Sequence, residues 1–324
     1  MDPARVTGPT VVALGGGHGL SASLRALRRV TDALTAVVTV ADDGGSSGRL
    51  RRELGVLPPG DLRMALAALC GDDDWGQTWS RVVQHRFRSE GDLHDHAVGN
   101  LLIVALWELL GDSVAGLDWV ARLLGAHGRV LPMSLAPMDI EALVELDDDG
   151  GGLATVRGQV AVAATAGHVV HVGLVPDRPP ACPEAVAAVL AADWVVLGPG
   201  SWFTSVIPHL LVPDLAEALR ATTARRLVVL NLAPQPGETT GFAPETHLEV
   251  LAVHAPGLAV DAVLADTAAV PDPESLRRAA ASLGADLHLA DLACDGDENS
   301  HDQDRLATAF RHLFAPERDF SDRI

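Results

Sequence analysis

A chain of 324 residues, 48% hydrophobic and 21% charged, can bury a full core and excludes intrinsic disorder. Its formal net charge of −19 opposes non-specific binding to nucleic acid or to an anionic membrane surface, so an anionic ligand must be met by a local basic site. All 24 cationic residues are arginine, which excludes a Walker-type phosphate lysine, a Schiff-base lysine and a lysine general base.

Residues 1–9 read as a polar lead. The apolar run 10–14 ends in Gly15-Gly16-Gly17-His18-Gly19, after which Leu20, Leu24, Leu27 and Val30 recur at helical spacing. Strand, glycine loop, helix and a second strand over 36–40 predict a right-handed βαβ unit. The glycine loop then lies at a helix N-terminus, where N–H groups and the helix dipole favour a phosphate. GGGHGL is not GxGxxG, because Leu20 stands at the third glycine position, and alone the loop reads equally as a structural turn.

The second strand breaks into Asp42 and Asp43, followed by Gly44, Gly45, Ser46 and Ser47, then Arg49, Arg51 and Arg52. A Pro58-Pro59-Gly60 turn delivers Asp61 and Arg63. Glycines let N–H groups approach an anion, hydroxyls add donors, and guanidinium forks bind phosphate. Carboxylates hold ribose hydroxyls or a divalent cation. In isolation the stretch is also a glycine turn with a solvated charged face. In a doubly wound sheet, however, loops after the first two strands flank one crevice at the strands' carboxyl ends, so each loop strengthens the reading of the other.

Helices are expected over 62–69 and 75–84. His94, Asp95, His96 and Asn100 lie just ahead of and within an apolar helix that ends near Leu110. His96 and Asn100, at i and i+4, share a face suited to orienting a ligand. A His-x-His metal site and plain capping or packing are the alternatives. A helix over 117–124 follows. From 130 to 175 the pattern changes to short strands at 142–146, 154–156, 159–162 and 168–172 between glycine turns, predicting an antiparallel β-rich insertion. Asp147, Asp148 and Asp149 read as a solvated hairpin tip, because EF-hand spacing is absent.

Helix and strand then alternate again, with a helix over 183–191 and a strand over 194–197. That strand leads to Gly198-Pro199-Gly200, Ser201, and a helix near Trp202 with Thr204 and Ser205 in its first turn, as caps or as a third phosphate-binding loop. Strands at 227–230, 259–264 and 286–289 alternate with helices at 244–254, 273–283 and 304–313, and a polar tail covers 315–324. The expected architecture is α/β: a Rossmann-like, doubly wound, mostly parallel sheet with helices on both faces and a small β-rich insertion, one domain over 10–314. No stretch reaches the ~18 apolar residues of a membrane span. The N-terminus has no apolar signal core, and Cys70, Cys182 and Cys294 lack CxxC spacing, all of which fits a reducing cytoplasm.

The combination of GGGHGL, TVADDGGSSGRLR, PPGDLRMALAAL, HAVGNLLI, GPGSWFTSVIPHLL and NLAPQPGET resembles the YvcK-type gluconeogenesis factors. These form the bacterial branch of the superfamily that also holds the CofD 2-phospho-L-lactate transferases. The resemblance spans about 10–314, and His18 in the glycine loop looks like the actinobacterial form. It implies a UDP-N-acetylglucosamine ligand and a cytoplasmic regulatory role joining gluconeogenic carbon flux to cell-wall precursor synthesis and cell shape. Carried onto this chain, it implies nucleotide-binding loops at 15–19 and 42–49, with Asp61, Arg63, Asn100, Ser201 and Thr204 completing the cleft. Relatives often carry Met-Thr at Ala233-Pro234, Asn at Asp266 and a basic residue at Ser300, and this chain has no tyrosine.

Three functions are therefore weighed. A nucleotide-sugar binding regulator needs no chemical step, and no nucleophile, base and orienting group stand at recognisable spacing. A CofD-like transferase of phosphorus-containing groups, or a uridylyltransferase, would work by positioning and charge neutralisation, with Mg2+ on Asp42 and Asp43. An NAD-dependent oxidoreductase shares the texture but lacks the fingerprint. No cofactor is required; Mg2+ accompanying a nucleotide, and NAD as a ligand, belong to the alternatives. Expected partners are a UDP-sugar or other nucleotide, enzymes of cell-wall precursor synthesis, and a second copy of the chain in a homo-oligomer.

Overall fold

The computed structural model describes residues 8–146, 152–165 and 167–315. The expected hairpin tip at Asp147–Asp149 and most of both tails lie outside these. In chain order the strands are β1 (Val11–Gly15), β2 (Leu34–Val38), β3 (Arg129–Pro132), β4 (Asp139–Glu145), β5 (Leu153–Arg157) and β6 (His168–Val175). They continue with β7 (Trp194–Leu197), β8 (Arg225–Val229), β9 (Ala262–Asp266), β10 (Asp286–Ala290), β11 (Ala293–Cys294) and β12 (Asp297–His301). The helices are α1 (Gly17–Leu27), α2 (Gly45–Leu54), α3 (Gly60–Ala68), α4 (Asp74–Gln84), α5 (Val98–Leu110), α6 (Ser113–Leu124) and α7 (Gln159–Ala163). After them come α8 (Pro183–Ala191), a π-helical turn (Trp202–Val206), α9 (Ile207–Leu211), α10 (Pro213–Ala221), α11 (Pro244–His254), α12 (Pro273–Ser282) and α13 (Gln303–Phe314).

Seven strands form one parallel sheet in the order β10-β9-β8-β7-β1-β2-β3. Every residue of β1, β7 and β9 is buried, as strands covered on both faces require. The covering helices form two packed groups, α1, α3–α6 and α13 in one and α8–α12 in the other. The chain runs outward from β1 through β2 to β3, returns to β7 beside β1, and then runs outward again to β10. The sheet's topological switch point is therefore the β1–β7 junction, and ligands of such sheets bind in the crevice at the strands' carboxyl ends there. The doubly wound expectation holds.

A separate three-stranded antiparallel sheet, β5-β4-β6, makes the β-rich insertion. Along β4, Ile140, Ala142 and Val144 are buried while alternate residues are not, the period of two that gives a sheet one core-facing side. Two expectations in this region change. Residues 129–132 pair parallel with β2 and belong to the main sheet, so the antiparallel segment begins after Pro132. Residues 159–162, expected as a strand, are helix α7. The Asp43 carboxylate, 117 positions away in the chain, accepts from Val160 N–H at 3.0 Å and supplies the N-terminal cap that local sequence lacks.

The Asp42–Arg63 stretch also differs from the expected continuous loop. Gly44 is extended and α2 starts at Gly45, passes from the weak helix formers Gly45–Gly48 into the strong ones Arg49–Leu54, and stops where left-handed Gly55 donates to Arg51 C=O. Helix α6 starts at Ser113 rather than at 117, because Asp112 caps both Val114 N–H and Ala115 N–H at 2.9 Å. Pro213–Ala221 adds a helix that the periodicity argument does not assign. The hairpin β11–β12 likewise appears between β10 and α13.

Helix α1 approaches the β7 loop closely. A Cβ on Gly19 would stand 2.3 Å from Pro199 O and 2.5 Å from Gly200 Cα, both backbone atoms that have little freedom to move. Gly19→Ala is expected to destabilise the protein by about 1–3 kcal/mol through this overpacking, measured by urea unfolding. An unchanged midpoint would mean the two loops separate freely.

Candidate functional site

At the β1–β7 switch point lies an open cavity of about 540 Å³. Four segments wall it. Helix α1 contributes His18, Gly19, Ser21 and Arg25; the β7 loop contributes Pro199 and Gly200; the β8 loop contributes Asn231 to Pro236; and the hairpin and the start of α13 contribute Asn299, Ser300, His301 and Gln303. Asn231 fixes the β7 loop from both sides, accepting from Gly200 N–H and donating to Gly200 C=O, each at 2.9 Å. Gln235 donates to Ser201 Oγ at 3.3 Å. His301 donates to the Leu230 carbonyl, leaves Nε2 buried without a partner, and has its pKa pushed down to about 4 by burial, so it is neutral. The cavity wall is thus rich in amides, hydroxyls and neutral imidazole, with Arg25 as its cation.

The residues singled out on the β2 side form a second, more buried group. Asp61, at the start of α3, accepts from Gly17 N–H, so the anion at the N-terminus of α1 is the protein's own carboxylate. Gly16 backs onto it: a Cβ there would lie 2.5 Å from Asp61 Oδ2 and 2.5 Å from Thr39 Cγ2, with Ser205 Oγ at 3.2 Å. Asp61 Oδ2 and Thr39 Oγ1 are buried without partners. Burial first, and the neighbouring Asp42 second, push the Asp61 pKa up to about 7. Asp42 is raised chiefly by burial, although it accepts from Gly44 N–H at 2.8 Å and from Ser47.

The other sequence candidates divide between positioning and support. Ser46 Oγ lies 3.1 Å from His96 Nδ1 and accepts from Asn100 Nδ2 at 3.0 Å, so the i, i+4 pair faces α2. All three residues are buried, and burial followed by the Arg49 charge holds His96 below the usual imidazole range. Arg49 donates to the carbonyls of Asp92 at 3.1 Å and His94 at 2.6 Å, pinning the turn ahead of α5. Arg63 is buried, pairs with Gln84, and has its pKa lowered to about 10 by desolvation. Thr204 donates to Glu238 Oε1 at 2.6 Å while Phe203 N–H donates to Glu238 Oε2 at 3.0 Å. Thr204 is therefore committed to a buried carboxylate rather than to the cavity.

Asp43 turns toward α7 while still acting on Asp42 by charge repulsion, and Asp42 in turn acts on Asp61, so the three carboxylates form a chain of like charges. Among the described residues no cluster of three or more His, Cys, Asp or Glu is arranged to hold a metal. Asn231, Gln235, Glu238 and His301 were absent from the sequence-derived site. Asn231 follows a strand directly, as loop ligands in α/β folds do, and that position was its one available signal.

The whole arrangement falls within a known family. Residues 11–304 match the family described as 2-phospho-L-lactate transferase CofD. The chain belongs to the CofD family. It is 57% identical over 305 residues to a provisionally named gluconeogenesis factor of Mycobacterium leprae, covering 93% of this chain and 85% of that one. It is 38% identical over 271 residues to the gluconeogenesis factor of Listeria innocua, covering 83% and 80%. A crystal structure of a upf0052 family member from Bacillus halodurans superposes with a TM-score of 0.82 at 32% identity, covering 94% of this chain and 98% of that one. The resemblance drawn from the loop motifs is borne out, including its actinobacterial character. Of the positions at which relatives were expected to carry other residues, Ala233, Pro234 and Ser300 line the cavity. Asp266 does not; it accepts from the N–H groups of Ala268, Ala269, Leu292 and Ala293 and holds the hairpin in place.

Asp61 gives the site a pH signature. With a folded pKa near 7 and an ordinary value of 3.8, the native state binds more protons than the unfolded state between these limits, so Asp61 makes stability fall as pH rises through that window. Asp61→Asn removes this slope. The variant is expected to melt a few degrees above the parent at pH 8 and to show little difference at pH 4, as followed by thermal unfolding across pH. A constant difference at all pH values would remove the elevated pKa.

Proposed function

We propose that this protein is a nucleotide-sugar binding regulator whose ligand is UDP-N-acetylglucosamine. The carrying observation is the polar cavity at the β1–β7 switch point. Its volume of about 540 Å³ lies within the roughly 300–1,000 Å³ range of small-ligand pockets, and its wall offers orienting groups instead of a nucleophile with a base. In this reading the diphosphate lies against Gly19, Gly200 and Arg25, while the amides of Asn231 and Gln235 meet the remaining polar groups of the ligand. The gluconeogenesis-factor names of the relatives support a role in the same branch of carbon metabolism. We extend it to cell-wall precursor synthesis and cell shape, exercised in the cytoplasm through precursor enzymes as partners and with the protein as a homo-oligomer.

A second reading rests on the Asp42–Asp61 pair. Two raised carboxylates beside the Ser47 hydroxyl, one carrying a buried unpartnered oxygen, are hard oxygen donors that fit Mg2+. A bound cation would neutralise the phosphates of a nucleotide. In a transferase these residues would then orient a phosphorus-containing group next to Gly16 and Ser205.

Calorimetric titration with UDP-N-acetylglucosamine separates the two. Micromolar binding without turnover is expected. Asn231→Ala should weaken it about tenfold, because losing the Asn231 clamp frees the Gly200 loop. Turnover of UTP and a sugar 1-phosphate that needs Mg2+ and is abolished by Asp61→Asn would replace the regulator with the transferase.

A further inference from the structure

In a protein of net charge −19, arginines that converge in excess of their carboxylate partners are informative. One such convergence lies outside the cavity described above. A hollow of about 260 Å³ opens between α1, α3 and α4, and Arg25, Arg28 and Arg81 line it together with Gln77, Ser80 and Asp72. The Arg28 side chain is only 10% exposed. One of its terminal nitrogens pairs with Asp72, while its Nε is buried with no partner. The guanidinium groups of Arg25 and Arg81 make no hydrogen bond or ion pair among the described residues. Three cations thus face a single carboxylate, and that carboxylate is held below its usual range by its bond to Arg28.

We propose that this hollow is a binding site for the phosphate monoester of a small metabolite, separate from the nucleotide-sugar cavity. Each guanidinium presents a planar fork of N–H donors, and three forks match the three oxygens of a dianionic phosphate better than the two of a carboxylate. Arg25 and Arg81, whose guanidinium groups have no partner among the described residues, supply the donors that meet the anion, and the Arg28 charge beside them adds to the attraction. The volume falls just below the roughly 300 Å³ at which drug-sized pockets begin, which excludes a nucleotide and leaves room for a phosphate on a short carbon chain. Arg25 and Gln303 also line the larger cavity, so the two sites share a wall. A phosphorylated metabolite held here would place its charge beside the nucleotide sugar, giving the protein two small-molecule inputs.

The test is calorimetric titration of the full chain with inorganic phosphate and with glycerol phosphate, each with and without UDP. Saturable binding of glycerol phosphate that persists with UDP present is expected. Arg81→Gln, which touches the hollow and not the larger cavity, should weaken it about tenfold. Because Arg81 is exposed, its variant should melt with the parent; Arg25→Gln, which also touches the larger cavity, is expected to weaken both glycerol phosphate and UDP, whereas Arg81→Gln weakens glycerol phosphate alone. Absence of saturable binding of either probe overturns the proposal. So does binding that Arg81→Gln leaves intact, or binding that UDP displaces while both arginine variants retain it. Neither probe is a nucleotide, so a failure of the UDP-sugar reading leaves the arginine comparison to decide.

Discussion

A carboxylate with one oxygen buried, at the mouth of the first helix, sets the terms for the whole site. Asp61 accepts from Gly17 N–H at the positive end of α1, close to Asp42 and against Gly16. The helix dipole and that N–H favour its charge, whereas burial and Asp42 oppose it, and burial is the larger effect. The glycine loop exists in this form because of that contact: at Gly16 a side chain would collide with Asp61, and at Gly19 with the β7 loop. The glycines here serve close approach of protein to protein at least as much as approach of protein to ligand.

This constraint divides the crevice into two parts. On the β7–β8 side the cavity is open, polar and almost free of acidic groups, held in shape by the two-way bond between Asn231 and Gly200. On the β2 side the half-buried Asp42 and Asp61 and the buried Ser47 and Thr39 form a shelf of oxygens, supported by the Ser46–His96–Asn100 cluster and by Arg49 on the turn before α5. The insertion meets this shelf through Asp43, whose carboxylate starts α7. Displacing the β2–α2 loop would therefore disturb the cap of α7, a physical link between the nucleotide-side loop and the antiparallel sheet.

Ala233, Pro234 and Ser300, the positions at which relatives were expected to carry other residues, line the open cavity. Ser300 presents a hydroxyl to a wall whose guanidinium, among the described residues, is that of Arg25, so a side-chain change there alters how a ligand is held and not how the sheet is built. Asp266 is different in kind. Its four accepted N–H bonds fix the β11–β12 hairpin, which in turn presents Asn299 to His301 to the cavity.

Much of the fold was legible in the sequence, because apolar periodicity and glycine punctuation are local signals. Buried runs such as Val11–Leu14 and Trp194–Leu197 specify central parallel strands, and the loop motifs specify the family. The absence of lysine and the net charge likewise bounded the chemistry before any geometry was known. What local pattern cannot carry is an interaction between distant residues. The identity of α7 depended on Asp43, 117 positions away; the place of Arg129–Pro132 depended on pairing with β2; and Asp61, 19 positions beyond Asp42, came to stand within reach of its charge. The sequence by itself determined the element order, the switch-point architecture and the supply of anion-binding groups. Only the tertiary structure decided which groups face the cavity, which hold one another, and which pKa values move, because desolvation and charge proximity arise from packing and have no period along the chain.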